Sequence, residues 1–93
     1  MKTFFCESCG SSWTAPDAID AELRQTIAAL SRRHQPLEAI RQLRISAHVS
    51  LADAKAISQH LTRIPGCCHR CAHPLDGAAM SVCLQCRSIN YDW

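Results

Sequence analysis

Long hydrophobic runs are missing from this chain. No stretch of its 93 residues approaches the roughly 20 apolar residues that span a bilayer. The start, Met1-Lys2-Thr3-Phe4-Phe5, lacks the extended apolar segment and small-residue cleavage site of a secretory signal. No Gly-rich phosphate loop is present, no low-complexity segment, and no Ser/His/Asp arrangement for nucleophilic catalysis. A large excess of charge is also missing, the formal net charge being +2. Four thiolates around one zinc dication would add about −2, because cysteine ligands bind deprotonated, and bring the loaded chain near neutrality. These absences argue against a membrane protein, a phosphate-loop nucleotide enzyme, a triad hydrolase and a broadly basic nucleic-acid binder. With its cysteines, the chain fits a reducing, cytoplasmic compartment.

Cysteine is what the chain has in abundance. Six of its seven cysteines fall in Cys-x-x-Cys pairs: Cys6/Cys9, Cys68/Cys71 and Cys83/Cys86. Disulfide frameworks seldom repeat that spacing, and metal sites do. Eleven residues separate the two tail pairs. That is short enough for two tight turns to present four soft ligands to one tetrahedral ion. A chain of this length buries a modest core and often needs such a staple. Four sulfurs leave no open coordination position, and no carboxylate pair or general base accompanies them, since Glu7 and Asp76 stand alone. The expected role of the metal is structural, and no enzyme activity is expected.

Between the first pair and the tail, three apolar stripes recur at helical period. Ile19, Leu23, Ile27 and Leu30 form the first, with Pro16-Asp17 expected to open it and acids at its start. Leu37, Ile40, Leu43 and Ile45 form the second after Pro36, which suits a first helical turn. Leu51, Ala54, Ile57 and Leu61 form the third; Ser50-Leu51-Ala52-Asp53 reads as its capping box and Pro65-Gly66 as its end. The tail loses helical period, and Ser88-Ile89-Asn90-Tyr91-Asp92-Trp93 alternates like a strand with one buried face. The expectation is an α+β chain: residues 1–14 as a knuckle-like strand and turn, 15–64 as a three-helix body, and 66–93 as a small zinc ribbon of short strands.

Two resemblances follow from these residues. The tail, with knuckle, loop, second knuckle and closing strand, resembles a zinc ribbon, and Cys6-Glu7-Ser8-Cys9-Gly10 resembles the opening half of one. Residues 37–61 look like the helix–turn–helix of the C-terminal domain of the bacterial ribosomal stalk protein. The match lies in Ala39-Ile40-Arg41-Gln42-Leu43-Arg44 and Leu51-Ala52-Asp53-Ala54-Lys55. The turn His48-Val49-Ser50 departs from that family's Gly-Leu-Gly. In the family, basic residues of this helix pair touch the G domains of translation GTPases, and the resemblance carries that role to Arg41, Arg44 and Lys55.

The simplest metal assignment is one zinc on Cys68, Cys71, Cys83 and Cys86. An alternative splits the ribbon, with Cys6/Cys9 meeting one tail pair. Two zincs would need two further ligands beside Cys6/Cys9, and Cys67, His69 and His73 are the neighbours to consider. A rubredoxin-like iron site would use similar ligands, but closed thiolate sites in ribbons favour zinc. His34, His48 and His60, set apart by helices, read as ordinary residues. The expected function is a protein-interaction module presenting Arg41, Arg44 and Lys55 to an acidic partner. The alternatives are a nucleic-acid-binding ribbon using Arg70, Arg87 and exposed Tyr91 or Trp93 for phosphate and stacking contacts, and, third, a thiol redox protein.

Overall fold

The computed structural model describes residues 1–16 and 19–93. It is an α+β fold of three helices and two small antiparallel sheets, each of two strands. Strand β1 (Lys2–Phe5) pairs with β2 (Ser12–Ala15), with Phe5 opposite Ser12. Helices α1 (Ala21–Arg32), α2 (Pro36–Ser46) and α3 (Leu51–Gln59) follow. Strand β3 (Met80–Val82) then pairs with β4 (Ile89–Tyr91), with Val82 opposite Ile89. No helix among the described residues is long and apolar enough to cross a membrane.

Local chemistry accounts for the helix bounds. Asp20 caps α1, its carboxylate accepting from the amides of Glu22 and Leu23. The start expected at Pro16-Asp17 is therefore shifted; Asp17 itself lies outside the described residues. Pro36 occupies the first turn of α2. Ser50 caps α3 through the Asp53 amide at 3.1 Å. The acid of the expected capping box does something else: Asp53 Oδ1 accepts from the Thr14 amide at 3.0 Å and pins β2 to α3.

The third helix stops at Gln59, short of the expected Pro65-Gly66 boundary. Residues 60–62 instead run beside β4. The Tyr91 amide donates to His60 O at 2.8 Å, and the Thr62 amide donates to Tyr91 O at 3.0 Å. Extended pairing supplies these backbone groups with partners that another helical turn would have supplied internally. Strand β4 thus has a neighbour on each edge, and both of its faces are covered as well, Ile89 and Tyr91 by the hydrophobic core and Asn90 by the Cys68–His69 turn, so all three residues are buried rather than alternate ones.

One hydrophobic core draws on all three helices and on a strand of each sheet. Trp13 and Ala15 from β2, Ile27 from α1, Ala39 and Leu43 from α2, Ala54 and Ile57 from α3, and Ile89 and Tyr91 from β4 share it. One of its long links in sequence is polar as well as aromatic: Trp13 Nε1 donates to the Tyr91 hydroxyl at 3.0 Å. At the far end, Arg32 Nη2 donates to the Trp93 carbonyl at 2.8 Å. Leu37, Ile45 and Leu51, expected among the inward stripes, point to solvent instead.

Candidate metal centre

The three Cys-x-x-Cys segments fold into the same turn. In each, the amide four residues after the first cysteine donates back to that cysteine's carbonyl: Gly10 to Cys6 at 2.8 Å, Ala72 to Cys68 at 3.0 Å, Arg87 to Cys83 at 2.9 Å. In each, the first cysteine's own amide donates to the carbonyl five residues on: Ser11 and His73 at 2.9 Å, Ser88 at 2.8 Å. The residues flanking each turn pair across it, as Phe5 with Ser12, Cys67 with Pro74 and Val82 with Ile89. The residue after each second cysteine is left-handed, with φ of 74° at Gly10, 64° at Ala72 and 66° at Arg87. Only the first of these is glycine, so the repeat is plainer in the backbone than in the sequence.

The tail turns face one another. Cys68, Cys71, Cys83 and Cys86 place their four sulfurs within 4.8 Å of each other. Cys68 Sγ lies 3.7 Å from Cys86 Sγ, and Cys71 Sγ lies 3.5 Å from Cys83 Sγ. A tetrahedral ion with metal–sulfur bonds of about 2.3 Å needs sulfurs roughly 3.8 Å apart, so the set could hold a metal ion with little adjustment. All seven cysteines are free of disulfides. Cys67 is not part of this set, and His73 contributes its carbonyl to the turn rather than its ring to the cluster.

Surrounding groups hold the sulfurs in place. The Arg70 amide donates to Cys68 Sγ at 3.4 Å, and Asn90 Nδ2 donates to it at 3.5 Å. Asn90 is fully buried, and its Oδ1 accepts from the His69 amide at 2.8 Å. Asp92 Oδ1 accepts from the Gly66 amide and the Thr62 hydroxyl, both at 2.9 Å, fixing the entry to the turn. Such partners orient metal-ligating side chains. Burial opposes ionisation of Cys68, but the donors around it, led by the Cys71 and Arg70 amides, bring its pKa down to about 6. Burial and the neighbouring sulfurs push Cys86 up to about 12. Four like groups this close cannot all ionise without a cation among them.

Cys6 and Cys9 lie apart from the tail set, so the split ribbon is not what this geometry forms. They meet His60 instead, with ligand atoms of all three within 4.8 Å of one another. This trio also could hold a metal ion. Reading His60 as an ordinary residue is thereby corrected: it is 3 % exposed and directed at Cys9, Nε2 to Sγ being 3.4 Å. Sequence gave no local sign of this, because 51 positions separate the partners. Burial opposes ionisation of Cys6 as well, yet amides of Ile89 and Cys9 and the side chains of Cys9 and His60 bring it to about 6.

The residues proposed for recognition fall elsewhere. Arg41, Arg44 and Lys55 are exposed on α2 and α3. Arg41 and Arg44 border a groove with Leu37, Ile40, Ile45 and Leu51. Arg70 and Arg87 are exposed, but Tyr91 is buried against Trp13, Phe4 and Trp93 and offers no stacking face. Comparisons with protein-family models, curated proteins and solved structures gave no match.

Proposed function

We propose that this protein is a zinc-held interaction module whose α2–α3 groove binds an acidic, partly apolar segment of another protein. The observation that carries the reading is the composition of that groove. Leu37, Ile45 and Leu51 are 79 %, 56 % and 44 % exposed, and the guanidinium groups of Arg41 and Arg44 stand beside them. Aliphatic side chains beside two arginines, of which Arg41 also pairs with Glu38 at 3.2 Å, suit an amphipathic helix carrying carboxylates, with apolar contacts supplying affinity and charge supplying register. Lys55 lies one helical turn after Leu51 on α3, outside the groove lining itself. The resemblance to the ribosomal stalk domain adds an acidic G-domain surface of a translation GTPase as a candidate partner.

In this reading zinc occupies the four-cysteine set and holds structure. Soft thiolates in tetrahedral array favour it, and four of them leave no coordination position for substrate. The protein's own work is to keep the helices packed and the groove open.

The test uses zinc-loaded protein and a fluorescent acidic peptide with leucines at helical spacing, followed by anisotropy. Binding should be saturable, weakened at least tenfold by Leu37→Ser, and abolished by Arg41→Glu with Arg44→Glu. Helix content of these variants should match the parent, since the substituted side chains are on the surface. Peptide binding that ignores both changes would sink the reading. So would steeply salt-dependent binding of DNA or RNA in its place, which would return the nucleic-acid alternative.

A further inference from the structure

We propose that the chain carries a second metal centre, a zinc-class dication held by Cys6, Cys9 and His60, with His69 closing its coordination shell. The first argument is the repeated turn. The Cys6–Cys9 segment has the hydrogen bonds, the flanking pair and the left-handed residue of the two tail turns. Those two face each other and complete a set of four. The first turn faces a buried imidazole.

The imidazole is set as a ligand. His60 Nδ1 lies 2.6 Å from the Ala56 carbonyl, which can only accept, so Nδ1 carries the proton. That leaves Nε2 with a lone pair, aimed at Cys9 Sγ from 3.4 Å. Donation of the far ring nitrogen to a backbone carbonyl is the usual way a protein orients a metal-bound histidine. Sulfur and nitrogen on one tetrahedral zinc, with bonds of about 2.3 and 2.0 Å, stand roughly 3.5 Å apart. Trp13 covers the ring, its centroid 4.3 Å from that of His60, and limits its rotation.

A closed structural site needs one more donor. The His69 ring is 5.2 Å from that of His60, centroid to centroid. Its Nε2 lies 2.8 Å from Ser88 Oγ and 3.2 Å from the Ile89 carbonyl, and that hydroxyl is 3.8 Å from Cys6 Sγ. One hydroxyl therefore stands between His69 and the trio. His69 does not share the 4.8 Å sphere of the other three, so ligation requires its ring to turn away from the Ile89 carbonyl and the hydroxyl to move aside. The result is a Cys2His2 set. His69 also follows Cys68, so two adjacent residues would serve two ions.

Metal content per chain decides the matter, measured by elemental analysis after dialysis against a weak chelator. The parent should hold two zincs. Cys83→Ser should lose the tail ion, whereas Cys9→Ser and His60→Asn should each lose only the other. Cys9 is exposed, so its replacement is less disruptive to packing than that of buried Cys6. His69→Asn should weaken the second ion more than tenfold in chelator competition and leave the first unchanged. Cobalt loading gives a second readout: the difference between parent and His60→Asn should be the spectrum of a two-sulfur, two-nitrogen centre. One zinc in the parent, or two retained in His60→Asn, would overturn the second centre. Unchanged affinity in His69→Asn would overturn the assignment of its fourth ligand. Neither result bears on peptide binding at the α2–α3 groove.

Discussion

Replacing Tyr91 with phenylalanine removes one oxygen and tests whether the first hairpin and the tail behave as one body. Tyr91 and Trp13 are both almost fully buried, and the indole N–H donates to the phenol at 3.0 Å across 78 positions of sequence. In Tyr91→Phe that N–H is left in the core without a partner. An orphaned buried donor costs about 1–3 kcal/mol. For a domain of this size, each kcal/mol moves the melting temperature by about 4–8 °C, so a mid-range loss of ~2 kcal/mol lowers it by ~8–16 °C. Trp13→Phe destabilises by a different route, leaving space beside His60 and Phe4, but it also removes the donor. The double variant should therefore be more stable than the sum of the single losses predicts, by about 1–2 kcal/mol. Urea unfolding at a fixed, buffered free zinc concentration measures this, since bound metal adds stability that depends on its concentration. Additivity within about 0.5 kcal/mol would show that the hydrogen bond contributes nothing to joining the two parts.

Three further outcomes follow from the cysteine turns. At pH 7 the thiol of Cys68, with a pKa of about 6, is already ionised, and that of Cys86, near 12, is not. Zinc uptake by the four-cysteine set should therefore release fewer protons than it has cysteines, and affinity should rise with pH; calorimetry in buffers of different ionisation enthalpy counts them, and no release would contradict the account. In the metal-free chain the Cys68 shift is downward from 9.0, so its stabilisation is full above about pH 9 and lost as pH falls through 6. Cys86 runs the other way, its contribution present below pH 9 and lost as pH rises toward 12. Arg87→Gly should stabilise the protein by about 0.5–1 kcal/mol without changing metal content, because the left-handed backbone costs arginine about 1–2 kcal/mol and glycine only part of that in chain entropy. A loss of stability in urea would mean that the Arg87 side chain contributes more than its backbone costs.

The helices were legible because burial writes a period: Ile27, Leu43, Ala54 and Ile57 face the core as their spacing predicts. The tail cysteines were legible because two ligands two residues apart are a local signature. His60 was not, since its partner arrives through tertiary packing and nothing around it in the sequence differs from a helix end. Asp53 shows the same limit. Its place three residues after Ser50 fits a capping box, yet the Thr14 amide offers its carboxylate a better partner than the helix start does. Leu37 and Leu51 fit their stripes equally well and lie outside the core, because period states which residues share a face and not what covers that face.

The contrast between short and long connections sets an order for folding. The four tail sulfurs come from residues 68–86, so gathering them closes a small loop, whereas Trp13 must find Tyr91 across most of the chain. The entropic penalty of closure grows with loop length, and contacts distant in sequence slow the search for the native state. A metal ion that clasps the tail early presents β4 already formed, with its edge ready for residues 60–62 and its buried face ready for the first hairpin. Refolding should then accelerate with free zinc, the ion serving as a nucleus for assembly before it serves as a fastening.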